Sequence, residues 1–373
     1  MAVISTPLLP SQKAILRTLR KSGPSSRAEI GRVCHLSSGA ITRFGRELID
    51  LGLIFEEAPS ERSGPGRPTQ RLALRGEAGA VIGFAIHPGW IEAVSMDFRG
   101  AEVLSRRLPG AEPLALADAV QSMKEFIRLH RSKAGLPILG VGVAVPGYVT
   151  RTANQRHTVK GLEDWRPVDL TRHFTAKLGY DVLVENDASA TALAEYYDLA
   201  ARDAEVVMAV TLGPGVGGGV VANGRLLRGA HGNAGEIGWL YPYGEPRPSA
   251  RDFFACIQAA LPDGATLAAL ELEERDIKGV IEVWCRRAAE QLRLAVGPGG
   301  GWLDPDRIVL AGPLPIAVLA RTARLLGETQ LFEPEVNISR PQPQGSALGA
   351  RAAAVGAALL PFQAMLDVEQ ARA

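Results

Sequence analysis

Along the first 50 residues the apolar positions fall three and four apart, the period of a helix. Ile15, Leu16 and Leu19 share one face of a helix predicted over Gln12 to Arg20, and Gly23-Pro24 ends it. Ser26-Arg27-Ala28-Glu29 has the form of a capping box and starts a short helix through Ile30 and Val33. After a turn at Cys34-His35-Leu36, Ser37 caps a third helix, Ser38 to Asp50. Its Ile41, Phe44, Leu48 and Ile49 point inward, while Ser38, Thr42, Arg43 and Arg46 stay outside. Gly52 breaks this helix, and Leu53-Ile54-Phe55 and Leu72-Ala73-Leu74 read as two strands around a polar loop, Ala58 to Gln70. Two short helices joined by a tight turn and followed by a hairpin form a winged helix-turn-helix. A three-helix protein-interaction bundle is the alternative for the helix pair. In the loop, Gly64-Pro65-Gly66-Arg67-Pro68 projects one arginine on a stiff backbone, suited to a minor groove; a linker with a solvated arginine explains it equally well.

Beyond residue 75 the pattern changes to short apolar runs. Ala80 to Ile86, Ile91 to Met96 and a stretch near Glu102 to Arg107 predict strands, Leu114 to Arg131 an amphipathic helix, and Ile138 to Val145 a further strand ending in Pro146-Gly147. Hairpins, a helix and another strand make an α/β lobe of the actin-like ATPase (ribonuclease H-like) type. A second lobe begins at the Ala-rich helix from Ala188 to Leu199, and a closing helix from Ser346 to Leu360 packs back across both. The predicted units are therefore residues 1–75, 76–187 with the C-terminal 346–373, and 188–345.

Two polar islands interrupt the apolar runs. The run Val206 to Leu212 meets Gly213, Pro214, Gly215, Gly217 and Gly218 before a second run reaches Asn223-Gly224, predicting a hairpin and then a tight turn. Such a bare-backbone tip suits a phosphate loop, though a plain glycine-rich turn reads the same way. Upstream, Val182-Leu183-Val184-Glu185-Asn186-Asp187 puts a carboxylate where a strand meets a helix N-terminus. Capping alone would account for Asp187. Taken with Asn233-Ala234-Gly235-Glu236-Ile237-Gly238, it also outlines a pocket for sugar hydroxyls facing the loop.

Composition sharpens this division. The net charge of +1 hides twelve Lys/Arg against six Asp/Glu through Arg75, and 29 against 34 in the remainder. A basic head on an acidic body points to a polyanionic partner, DNA. The 373 residues, 46% apolar, suffice for two or three compact units. Cys34, Cys256 and Cys285 have no metal-ligand spacing, so no metal is expected, and free thiols fit a reducing cytoplasm. No leader and no membrane span is expected.

The succession Glu185-Asn186-Asp187, Leu212-Gly213-Pro214-Gly215-Val216-Gly217-Gly218-Gly219, Asn223-Gly224-Arg225-Leu226 and Asn233 to Gly238 resembles the ROK family of sugar kinases and sugar-responsive repressors. The head is similar to the DNA-binding module of the repressor branch, with His35 where a glycine is usual, so the resemblance runs from about Ser11 to Leu360. It implies that Asn186, Asp187, Asn233 and Glu236 bind sugar hydroxyls, Asp187 matching the catalytic base. Trp239 either packs its corner, the preferred reading, or stacks on a ligand ring, and it joins the ligand set on that account.

The departures lie on the nucleotide side. Ala85-Ile86-His87-Pro88-Gly89 stands where a kinase has D-x-G-x-T, and Pro214 replaces a phosphate-loop threonine. Gly213, Gly215, Gly217 and Gly218 are then a vestigial phosphate loop. The thiolate zinc motif is absent, Gly161 replaces an asparagine in Gly161-Leu162-Glu163-Asp164-Trp165, and Ile308 to Leu314 loses two glycines. The resemblance therefore implies a regulator that does not transfer phosphate and needs no cofactor. Its partners are operator DNA, through Ser38, Thr42, Arg43, Arg46 and Arg67, and a sugar or sugar-like effector, in a homodimer or higher oligomer. An active sugar kinase carrying a DNA-binding head, and a regulator switched by a protein partner, are the alternatives.

Overall fold

The computed structural model describes residues 7–57, 70–151, 155–198, 203–242, 244–261, 275–329, 331 and 341–366. Arg67 and its Pro/Gly arm, Tyr243 and the tail beyond 366 lie outside the described residues.

The head forms as its sequence predicts. Helices α1 (Pro10–Ser22), α2 (Arg27–Cys34) and α3 (Ser38–Asp50) surround a small core, with β1 (Ser25–Ser26), β2 (Ile54–Glu57) and β3 (Arg71–Leu74) in the order β1-β3-β2. The capping box closes reciprocally: Glu29 N donates to Ser26 Oγ at 3.2 Å and Ser26 N to Glu29 Oε2 at 2.7 Å. His35 takes the left-handed conformation (φ 53°, ψ 40°) that lets α2 end and α3 leave at an angle. Ile15, Leu16, Ile30, Ile41, Leu48, Ile54 and Leu72 are fully buried, while Ser38, Thr42, Arg43 and Arg46 lie exposed on α3.

In the body, β4 (Ala80–His87), β5 (Trp90–Asp97) and β6 (Glu102–Pro109) form an antiparallel meander; α4 (Leu116–Lys133) returns the chain to β7 (Ile138–Val145). A small hairpin, β8 (Gly147–Val149) and β9 (Arg156–Thr158), and α5 (Leu170–Leu178) precede β10 (Val182–Asn186), giving the sheet order β10-β7-β4-β5-β6. Then α6 (Asp187–Tyr197) leads to β11 (Val206–Leu212), β12 (Val216–Ala222), β13 (Arg225–Leu226), α7 (Ala250–Ala260), α8 (Arg275–Leu303), β14 (Arg307–Ala311), α9 (Ile316–Glu328), β15 (Gln344–Gly345) and α10 (Ala352–Leu366). The second sheet runs β13-β12-β11-β14-β15.

Helices α6 and α10 pack on each other between the sheets, α10 against β4 and β7, α6 against β11 and β12. Small residues allow this closeness. A Cβ at Gly356 would stand 1.7 Å from the Ala190 carbonyl oxygen, and one at Gly142 would stand 1.8 Å from that of Ala357. Gly349–Leu366 is apolar enough to cross a membrane by composition, but 67% of it is buried inside the fold.

Several helix ends differ from expectation, those of the two packed helices among them. The closing helix, predicted over 346–360, is α10 at 352–366: Ser346 Oγ accepts from Leu348 N and holds that stretch in a turn. At the other end, the helix runs on through Pro361, whose ring seats over Gly140. Helix α6 begins one residue earlier than predicted, at Asp187.

Candidate functional site

The strand β10 delivers three polar residues in succession to the sheet edge. Asn186, rather than Asp187, caps α6: its Oδ1 accepts from Ala188 N (2.8 Å) and Ser189 N (3.1 Å), and its Nδ2 donates to the Gly147 carbonyl at 2.9 Å. Asp187 is thereby released from capping and lines a cavity of about 290 Å³. Glu185, one position earlier and buried, accepts from Arg228 Nε at 2.8 Å and from Asn186 N at 2.8 Å, with Arg156 Nη2 at 3.8 Å. This buried network ties β9, β10 and the segment after β13 together.

Glu236 lines the same cavity. Burial, and then the neighbouring Asp187 carboxylate, push its pKa up to about 7 against the pull of Arg156. Burial also raises Asp187, opposed by backbone N–H groups and by Arg156. Tyr148, His157 and Trp239 make an aromatic rim: Tyr148 stacks on His157 with centroids 4.9 Å apart and meets Trp239 edge-on at 6.1 Å. Trp239 is 65% exposed, so the preferred packing reading fails. Asn233 is also displaced from its expected role. It exchanges two hydrogen bonds with the Val149 backbone, at 2.7 and 2.9 Å, and is not a lining residue.

Gly213, Pro214, Gly215 and Gly217 form the opposite wall of the cavity. Their geometry is that of a packed hairpin. Gly213 N–H is spent on the Gly215 carbonyl at 3.0 Å, Pro214 has no N–H, and Gly218 N–H is spent on the Gly235 carbonyl at 2.8 Å. A Cβ at Gly217 would stand 2.9 Å from that of Ala188, and one at Gly235 (φ +93°) would stand 2.1 Å from the Gly218 oxygen. Close approach thus accounts for Gly217 and for Gly218, whose Cβ would stand 3.0 Å from the Gly235 oxygen, whereas Gly213 and Gly215 at the tip have no such neighbour. Gly218 itself does not line the cavity, and neither does the β4–β5 turn at Pro88-Gly89. There His87 is buried and stacked on Trp90 at 4.7 Å, and burial pulls its pKa down to about 4.

Sequence reasoning missed the cations. Lys160 and Arg166 follow β9, while Arg247 and Arg251 precede and open α7, and all four line the cavity. They come from segments some 80 residues apart with no motif spacing, so only the fold assembles them. In the head, Arg32 lines a groove with Ser38 and Thr42 and was likewise not anticipated.

The head is fastened to the body at the far end of α6. Lys21 Nζ lies 3.5 Å from the Tyr196 ring centroid and donates to the Tyr196 carbonyl at 2.9 Å and the Ala204 carbonyl at 3.3 Å. Burial lowers Lys21 to about 8. Arg20 bonds the Arg99 carbonyl and sits over the rings of Tyr197 and Phe362 at 5.8 and 5.5 Å. A single helix therefore starts in the cavity and ends under α1.

The ROK family profile matches residues 92–363, which covers the body from β5 into α10. The chain belongs to the ROK family. Within it, the y4fQ protein of Sinorhizobium fredii is 35% identical over 95% of this chain and 92% of its own length. The xylose repressor of Bacillus subtilis is 26% identical over 72% of this chain and 69% of its own. Among solved structures, a ROK family transcriptional regulator described as a homologue of Escherichia coli Mlc superposes with a TM-score of 0.65 at 22% identity, covering 95% of this ROK chain and 96% of the other. At that identity the likeness establishes the shared fold.

Proposed function

We propose that this ROK protein is a cytoplasmic transcriptional regulator, most simply a repressor, whose winged helix binds operator DNA and whose cleft senses a sugar or sugar-derived effector. The observation that carries the reading is α6. Its first residue, Asp187, lines the cleft, and its last turn, Tyr196 and Tyr197, holds Lys21 and Arg20 of the head. Effector binding that shifts α6 by a fraction of a turn moves α1, and with it α3. Two such heads in a homodimer would change their spacing on paired half-sites. Asn186, Asp187 and Glu236 hold the effector's hydroxyls, with Trp239 stacked on its ring. Arg43 and Arg46, with Ser38, Thr42, Arg32 and the wing's Arg67, contact DNA.

We read the body as non-catalytic. The hairpin's donors at Gly213 and Gly218 are already used, Pro214 contributes none, and no carboxylate replaces Ala85 on β4. Phosphoryl transfer needs several such groups at once.

Selection of binding sites from random DNA by the full chain, repeated with each candidate sugar, tests head and sensor together. Expected are an enriched paired half-site, loss of affinity in Arg43→Ala and Arg46→Ala, a steep fall with salt, and a sugar that alters binding. DNA affinity indifferent to salt and to both substitutions would overturn the head's assignment, and coupled sugar and ATP turnover abolished in Asp187→Asn would restore a kinase.

A further inference from the structure

The cleft carries a charge that a neutral sugar does not answer. Among the described lining residues, Lys160, Arg166, Arg247 and Arg251 face two carboxylates, Asp187 and Glu236, with Glu163 acting on Lys160 and Arg166 from outside the lining. Lys160, Arg166 and Arg251 form no ion pair among the described residues. Two buried polar atoms on lining residues also have no partner there: Arg166 Nε, and the hydroxyl of Thr211, a side chain 5% exposed. Each such orphan costs about 1–3 kcal/mol unless something accepts from it. Like charges gathered around a cavity of about 290 Å³ raise that cost further. An anion accepts from the guanidinium, the ammonium and the hydroxyl together.

We propose that the effector is an anionic monosaccharide, a phosphate ester or sugar acid, whose charged group is held by Lys160, Arg166, Arg251 and the Thr211 hydroxyl while its ring hydroxyls meet Asp187 and Glu236. This rests on the reading of the cleft as the effector site. The volume lies at the small end of ligand cavities, which favours one sugar unit over an oligosaccharide. The cations come from the β9 side and the α7 side, so an anion between them draws the two walls together, which a neutral sugar does less strongly.

Calorimetry on the full chain tests this with D-glucose, D-xylose, D-glucose 6-phosphate, D-glucuronate and inorganic phosphate, alongside Arg251→Gln and Arg166→Gln. Arg251 is exposed at the start of α7, so its variant keeps the fold even if Arg166→Gln does not. The expected result is that the ester or the acid binds about ten-fold or more tightly than its neutral parent. Added salt and Arg251→Gln shrink that advantage, weakening the anions more than the neutral sugars. The ester binding alone identifies phosphate as the recognised group; the acid binding alone identifies carboxylate. Neutral sugars binding as tightly as the anions, or an anion preference untouched by both substitutions, overturns the proposal and leaves sugar sensing standing. Failure of every anion, inorganic phosphate included, also overturns it. Sugar sensing falls separately, if no compound alters DNA binding in a manner that Asp187→Ala abolishes.

Discussion

The two walls of the cleft are built on different physics. One, from β9, β10 and the segment after β13, is a buried polar network in which Glu185 engages Arg156 and Arg228 and Asn186 caps α6. The other, the hairpin of β11 and β12, is bare backbone, where Gly217, Gly218 and Gly219 are kept small by Ala188 and the Gly235 loop. A charged network keeps its geometry only while every partner is present. A hairpin tip keeps its geometry through packing whether or not a phosphate binds. Glycine density therefore says little about function on its own, whereas the polar wall is costly to leave incomplete.

The sharpest way to break the comparison is to cut the network. Glu185→Ala leaves Arg156 buried without its carboxylate and should cost about 3–5 kcal/mol in urea unfolding. A loss below about 1 kcal/mol would mean that the network is solvated and the polar wall ordinary.

On the other wall, Gly235→Ala forces a side chain into a left-handed site against the Gly218 oxygen and should cost about 1–3 kcal/mol without any nucleotide present. Pro214→Gly, which returns an N–H to the tip, should change unfolding by less than about 1 kcal/mol and confer no ATP hydrolysis in a coupled assay. Turnover gained by Pro214→Gly would make the hairpin a phosphate loop after all.

The link from cleft to head is tested by Lys21→Ala. It removes one cation–π contact and two hydrogen bonds, for about 1 kcal/mol. Effector affinity measured by calorimetry should stay the same while the effector's influence on DNA affinity shrinks. Undiminished influence would move the coupling path away from α6.

The smallest effect is that of pH on Glu236, whose carboxyl is raised from an ordinary 4.5 to about 7. A carboxyl raised on folding retains its proton longer in the native state, so its contribution to stability falls as pH rises from about 4.5 to about 7 and is flat outside that window. Asp187 and Arg156 are the charges acting on it. Binding of D-glucuronate, which does not itself titrate there, should weaken between pH 6 and 8 in the wild type, since the cleft gains a negative charge. In Glu236→Gln this slope should vanish; an equal slope in both would assign it to another group.

Much of this was legible because it is local. The Ser26–Glu29 capping box, the exposed Ser38, Thr42, Arg43 and Arg46 face, the Asn223-Gly224 turn and the join of β10 to α6 depend on residues a few positions apart, whose preferences survive in the fold. Even His35, an unusual turn residue, adopts the left-handed backbone that the turn requires.

The amino-acid sequence by itself determined the three helices and hairpin of the basic first 75 residues, the α/β pattern beyond them, the family, and the gathering of Asn186, Asp187 and Glu236 around one cavity. Only the tertiary structure decided that Asn186 is the cap, that Asn233 holds Val149, that Trp239 stands open at the rim, and that four cations from distant segments share one cavity. The reason is physical. Backbone geometry and periodicity act over one or two turns of chain, whereas the partner a polar side chain finds, and the electrostatic cost it carries, depend on what long-range packing brings beside it.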